Sequence, residues 1–256
     1  MSNNALEKWR AGAASGDARK IETALARLGQ AQPQQRNTGG GIVRHGRLIV
    51  VLDLTASREG GLTQARKATA AMFEAITSFG SVAVKLVFFR GRECKAGKWE
   101  RNAEAVCGSM LALSCRCGHT KIGRVLRLVA DEPGPVSGVV YIGDHCEEDG
   151  DELAALAGRL GEKHIPVWMF HEIDHADERW KLAKPIFEAM AAESGGAYCP
   201  FGAASADTLR ELLSTVAAFS AAGAEGINGI EQARTPEARQ LRNRLLLPPA
   251  PKRLKC

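Results

Sequence analysis

One stretch limits the fold more than any other: Leu48-Ile49-Val50-Val51-Leu52, closed by Asp53-Leu54-Thr55-Ala56-Ser57. A continuous run of aliphatic residues, rich in β-branched side chains, reads as a strand buried on both faces. Such strands belong inside parallel sheets. This one ends abruptly in a carboxylate and two hydroxyls. Open α/β sheets set their sites beyond the carboxyl ends of their strands. Asp53, Thr55 and Ser57 offer only oxygen, the donor that a hard cation such as magnesium prefers. The same residues also suit a plain role, in which Asp53 closes the strand and Thr55 and Ser57 shape a turn.

Downstream, strand and helix signals alternate. Leu62, Ala65, Met72, Ile76 and Phe79 fall near one helical face, stopped by Gly80. Val82 to Phe89 reads as a second strand, and the polar stretch Arg90 to Lys98 as a loop or sheet-edge excursion. Asn102 to Leu113 reads as helix, Cys115 to Thr120 as loop, and Ile122, Val125, Leu126 and Val129 as a helix ending before Pro133. Val136 to Ile142 is a third strand, running into Gly143-Asp144. Asp149 with Glu152 predicts a capped helix whose inner face is Leu153, Leu156 and Leu160. Ile165 to Phe170 is a fourth strand, Trp180 to Ala192 a helix closed at Ser194-Gly195-Gly196, and Ala197 to Phe201 a last strand. Leu209, Leu212, Leu213 and Val216 carry a final helix. The pattern predicts an α/β fold: a doubly wound, Rossmann-like, mostly parallel sheet with helices on both faces.

Four segments follow from this reading: an N-terminal helical segment over 1–30, a flexible linker over 31–43 rich in Gln and Gly, the main domain over 44–222, and a mobile tail over 223–256. A net charge of +5 is too modest for a concentrated basic face, so nucleic acid is not the expected partner. No apolar run approaches the roughly 20 residues that span a bilayer. The first residues lack the apolar core of a signal peptide, which points to the cytoplasm. There the seven cysteines are expected to be reduced thiols.

Three points share the logic of the fold: Asp53, Thr55 and Ser57 after the first strand, Thr120 in a loop before a helix, and Asp144 after the third strand. In a doubly wound sheet they can converge on one edge. Here the chain resembles the von Willebrand factor A domain family over roughly residues 44–222, as a stand-alone, bacterial-type intracellular member. That family's metal-ion-dependent adhesion site runs Asp-x-Ser-x-Ser, then a distant Thr, then a distant Asp. The present chain offers Asp53-Leu54-Thr55-Ala56-Ser57, Thr120 in Gly118-His-Thr-Lys-Ile122, and Asp144 in Val140-Tyr-Ile-Gly-Asp144. Ile165 to Phe170, Ala192 to Tyr198 and Leu209 to Phe219 resemble the family's later strand, turn and closing helix. Thr55 stands where Ser is usual, and His145 where Gly is common, a change that alters the reach of the loop.

The resemblance implies Mg2+ (or Mn2+) as cofactor. Thr55 and Ser57 would bind it through their hydroxyls, Thr120 directly or through water, and Asp53 and Asp144 directly or through water while balancing charge. The open position would accept an Asp or Glu carboxylate from a protein partner, in recognition rather than catalysis, with no membrane involved. Chaperone-like or AAA+ ATPase-linked complexes are the setting the resemblance implies.

Two other readings use the same residues. Haloacid-dehalogenase-like phosphatases also begin with an apolar strand and an Asp; Asp53 would be the nucleophile, and Gly143-Asp144-His-Cys-Glu-Glu-Asp149 resembles their magnesium loop. A metal-free scaffold of the same fold is the third. Cys115, Cys117 and His119, with Cys94, Cys107, His145 and Cys146, could hold zinc, but one-residue Cys spacing is atypical and packed thiols are favoured. The acidic run Glu147, Glu148, Asp149, Asp151 and Glu152 reads as a solvated loop at a helix N-terminus, or as an acidic rim. Arg90, Arg92, Lys95, Lys98 and Arg101 form a basic excursion that could steer an acidic partner or simply be solvated.

Overall fold

A computed structural model describes residues 46–55, 82–102, 105–106, 108–109, 113–173, 178–202, 206–228 and 235–246. The N-terminal helical segment, the linker, the helix expected after Gly61, and Ser57 lie outside the described residues.

Strand β1 (Arg47–Asp53) is the aliphatic run, and Leu48, Ile49, Val50 and Val51 are wholly buried. Its side chains alternate between two cores. Leu48, Val50 and Leu52 join the first, and Ile49 and Val51 the second. Parallel neighbours lie on both sides: β2 (Ala83–Arg90) and β4 (Gly138–Gly143). β3 (Glu93–Glu100) is the antiparallel edge strand made by the polar excursion, with Lys95 and Lys98 exposed. β5 (Val167–Ile173) and β6 (Tyr198–Gly202, which includes Pro200) complete the other side. The described sheet thus has six strands in the order β3-β2-β1-β4-β5-β6. The chain moves from β1 to β2 in one direction and later to β4 in the other. The order therefore reverses between β1 and β4, the position where doubly wound sheets open a crevice.

Helices cover both faces. On the second core lie α1 (Ile122–Ala130), α2 (Gly150–Glu162) and α3 (Trp180–Ser194). On the first lies α4 (Ala206–Asn228), through Leu209, Leu212, Leu213 and Val216. α3 ends as expected: Gly195 takes a left-handed φ of 77° that a side chain would strain. Past Gly223, where the sequence suggests a mobile tail, the described residues through Leu246 are mostly helical, and 247–256 lie outside them. α4 breaks at Gly223 (φ 62°) and resumes, and α5 (Pro236–Leu246) follows. Ile227, Ala238 and Leu241 are buried, and their burial is what holds this segment.

β5 also departs from the sequence reading. It starts later, after Pro166, and runs on through His171 and Glu172, both buried.

A polar cluster clamps the amino end of the sheet. Glu132, just after α1, accepts from Lys85 Nζ (2.6 Å), Trp99 Nε1 (2.6 Å) and Arg47 (3.2 Å), and the Arg47 guanidinium lies 4.1 Å over the Trp99 ring. Three strands are thereby tied to one helix. Burial opposes ionisation of Glu132, but the hydrogen bonds from Lys85 and Trp99 and the charges of Lys85 and Arg47 outweigh it. The carboxyl is held below its ordinary value of 4.5. A lowered folded value stabilises above that ordinary value, and the stabilisation disappears as pH falls through the folded one. Glu132→Gln should thus lower the denaturation midpoint at pH 7, and the gap to wild type should close as both are titrated below about pH 4.

Gly138 has a separate reason to be glycine. A Cβ there would stand 2.2 Å from the Trp168 ring and 3.2 Å from the Pro166 carbonyl oxygen. Gly138→Ala should cost about 2 kcal/mol of stability, read by chemical denaturation, and combining it with Trp168→Leu should cost less than the sum of the two single changes.

Candidate functional site

Asp53 ends β1, and Asp144 is the first residue beyond β4. The two strands are paired in parallel with Leu52 opposite Ile142, so both carboxylates emerge at the same edge, one strand apart. Asp53, Thr55, Thr120 and Asp144 are all buried, with 1%, 6%, 5% and 9% of their surface exposed. Asp53 Oδ1 accepts from the Thr55 N–H at 2.8 Å, which bends the chain sharply out of the strand. Its Oδ2 accepts from the Tyr141 hydroxyl at 3.4 Å.

Thr120 arrives from another direction. Its loop is tied to the end of β1, where the Arg116 N–H donates to the Leu54 carbonyl at 3.0 Å. The loop also presses on the β2–β3 turn: a Cβ on Gly118 would fall 2.5 Å from the Gly91 Cα, so this approach requires glycine at 118, and Gly91 itself turns at a left-handed φ of 50°. The Thr120 N–H then donates to Glu147 Oε2 (3.0 Å), and the Glu147 N–H donates back to Thr120 Oγ1 (3.4 Å). Glu148 accepts from the first N–H groups of α1, at Ile122 and Gly123 (3.0 Å to the latter). These amides have no partner within the helix, and a carboxylate there also meets the positive end of the helix dipole.

The acidic run is therefore not one solvated loop. Glu147 and Glu148 reach across to the Thr120 loop and α1, while Asp149 caps α2 by accepting from the Glu152 N–H at 2.8 Å, as the spacing predicts. His145, in the position where Gly is common, places Nδ1 2.8 Å from Asp144 Oδ2.

Around this edge the thiols are of another kind. Cys94, Cys115, Cys117, Cys146 and Cys199 form no disulfide, and burial pushes Cys146 up to about 11 and Cys199 up to about 12. Among the described residues no group of three or more His, Cys, Asp and Glu side chains is disposed to hold a metal. Any cation site here must rely on hydroxyls as well as carboxylates. Of the basic excursion, Arg90 is structural: Nε meets Glu93 at 3.0 Å and NH1 meets the Ser114 carbonyl at 2.8 Å.

The donor set fits a magnesium-class ion. Two buried carboxylates are costly to keep charged, and a divalent cation shared with two buried hydroxyls would offset that cost with hard oxygen ligands only. Ser57 lies outside the described residues. The sequence reading missed Tyr141 and His171 as parts of this edge, and offered Glu147 and Glu148 only as part of an acidic rim. His171 had a signal, a polar residue directly after an apolar run, like Asp53 and Asp144.

No family model matches the chain, and no curated protein matches it. Solved structures do. BatB from Bacteroides thetaiotaomicron, a conserved hypothetical protein, aligns over 69% of this chain and 98% of its own, at 15% identity and a TM-score of 0.54. An aerotolerance-related membrane protein from Bacteroides fragilis aligns over 72% and 100%, at 15% identity and a TM-score of 0.53. The SpRpn10 VWA domain aligns over 66% and 95%, at 12% identity and a TM-score of 0.53. The fold is that of a von Willebrand factor A domain.

Glu148 supplies this region's most specific stability test. Glu148→Ala should cost about 1 kcal/mol and speed hydrogen exchange at the Ile122 and Gly123 amides, with the β1 amides unchanged.

Proposed function

We propose that the protein is a divalent-metal-dependent protein-interaction module whose Mg2+ or Mn2+ bridges to a carboxylate of a partner protein. What supports this reading is that Asp53 and Asp144 leave the ends of two paired strands at one edge of the sheet, and that they, Thr55 and Thr120 are all buried oxygen donors. With Ser57 they make the ligand set we assign. The bound ion would supply Lewis acidity toward an incoming Asp or Glu side chain. The chain's own contribution is to hold its oxygens in place: the Thr55 N–H and Tyr141 hydroxyl orient Asp53, and Glu147 orients Thr120.

We assign the module to residues 44–222, with 1–30 and 223–256 as flanking segments. Its setting in this reading is the cytoplasm, in a chaperone- or AAA+ ATPase-linked complex. No described helix is long and apolar enough to cross a membrane. The reading is of a binding protein, not an enzyme: the phosphatase alternative asks Thr55 to serve as acid/base, which a hydroxyl does poorly.

Calorimetric titration with Mg2+ and Mn2+ tests it. Wild type should show one saturable site and Asp53→Ala none, with little change in the denaturation midpoint. Binding that survives Asp53→Ala, or no binding by wild type, overturns the metal bridge. Turnover of a phosphate ester that Asp53→Ala abolishes would favour the phosphatase instead.

A further inference from the structure

His171 is a buried histidine that the site described so far does not use. It is wholly buried in β5, and its register partner in β4 is Gly143, the last residue of that ladder. The next residue, Asp144, has left the sheet. Its carbonyl lies where no strand pairing continues, yet the polar backbone there still needs a partner. His171 Nε2 lies 3.0 Å from that carbonyl oxygen, and Nδ1 lies 2.9 Å from the Tyr198 hydroxyl on β6.

The chemistry fixes the ring's orientation. A carbonyl only accepts, so Nε2 carries the proton; in the neutral ring Nδ1 then accepts from Tyr198. Three aromatic rings hold the imidazole edgewise: Phe187 at 4.8 Å, Tyr198 at 5.7 Å and Trp180 at 6.2 Å between centroids. The donor therefore stands on a rigid strand and cannot swing away.

We infer that His171 is a positioning residue for the candidate metal site, its Nε2–H fixing the backbone of Asp144 and so the direction in which that carboxylate leaves the sheet. The inference rests on the metal reading above for its functional meaning. The same bond also sets the start of the loop that carries Glu147 and Glu148, and through them the Thr120 loop and α1. One imidazole thus orients ligands on two separate loops. Outer partners of this kind tune metal affinity without touching the ion.

The test uses the full chain and Mn2+ as probe, with Asp53→Ala as the control for the metal reading. The variants are His171→Phe, which fills the space without a donor, His171→Gln, whose amide nitrogen reaches the place of Nε2, and His171→Asn, whose shorter amide serves only Tyr198. His171→Phe and His171→Asn should weaken Mn2+ binding by about tenfold or more, and His171→Gln should restore it. Hydrogen exchange supplies a second readout: amides of 144–149, with Thr120 and Gly123, should exchange faster in the Phe and Asn variants and not in Gln. Equal Mn2+ affinity and equal exchange in folded Phe and wild-type protein overturn the inference, and if Phe fails to fold, equality of Asn and Gln does so. Should wild type bind no Mn2+, the metal reading falls, and the exchange pattern alone then decides whether His171 positions the loop.

Discussion

The upper edge of this sheet depends on the sealing of β1. With its aliphatic residues buried on both faces and parallel neighbours on both sides, β1 has no freedom to shift in register. Polar groups are then tolerated only where the strand stops. Asp53 is the first place past the aliphatic run of β1 where a charge can leave the core, and it does so beside the end of β4. Hydrophobic burial, a force without direction, ends by placing two carboxylates with direction.

What β1 positions coarsely, hydrogen bonds position finely. An aromatic layer underlies the oxygen cluster: Tyr141 packs on Phe89 and on Phe187, and Phe187 packs on His171. From this layer Tyr141 reaches Asp53, and His171 reaches the Asp144 carbonyl. Glu147 and Glu148 then join the Asp144 loop to the Thr120 loop and α1. The carboxylates divide their roles: some stay at the crevice, others act as struts between loops.

Much of this was legible in the residues. Continuous or nearly continuous apolar runs announced β1, β2 and β4, and turn chemistry marked the ends of α2 and α3. The placing of Asp53 and Asp144 after two buried strands announced that they leave the sheet at the same edge. Other features were hidden because polarity misleads when partners lie far along the chain. The fourth strand was read as ending at Phe170 because nothing local shows the aromatic residues that pack on His171. Glu147 and Glu148 read as a solvated loop or an acidic rim, not as struts, because their amide partners lie more than twenty residues earlier, at Thr120, Ile122 and Gly123. The segment after Gly223 read as a tail because small residues carry little apolar signal. Their size is also what lets that segment pack closely: a Cβ on Gly226 would fall 2.2 Å from the Ala218 carbonyl oxygen.

The two borders of the described sheet have a consequence for life at high concentration. One border is β3, with exposed Lys95 and Lys98; the other is β6, which carries Pro200 and so lacks one backbone donor. Unpaired strand borders are where separate copies zip together into aggregates, and charge and proline are what interrupt that zipping. Charge on one border and proline on the other thus make the flanks of the described sheet poor templates for pairing with a further strand.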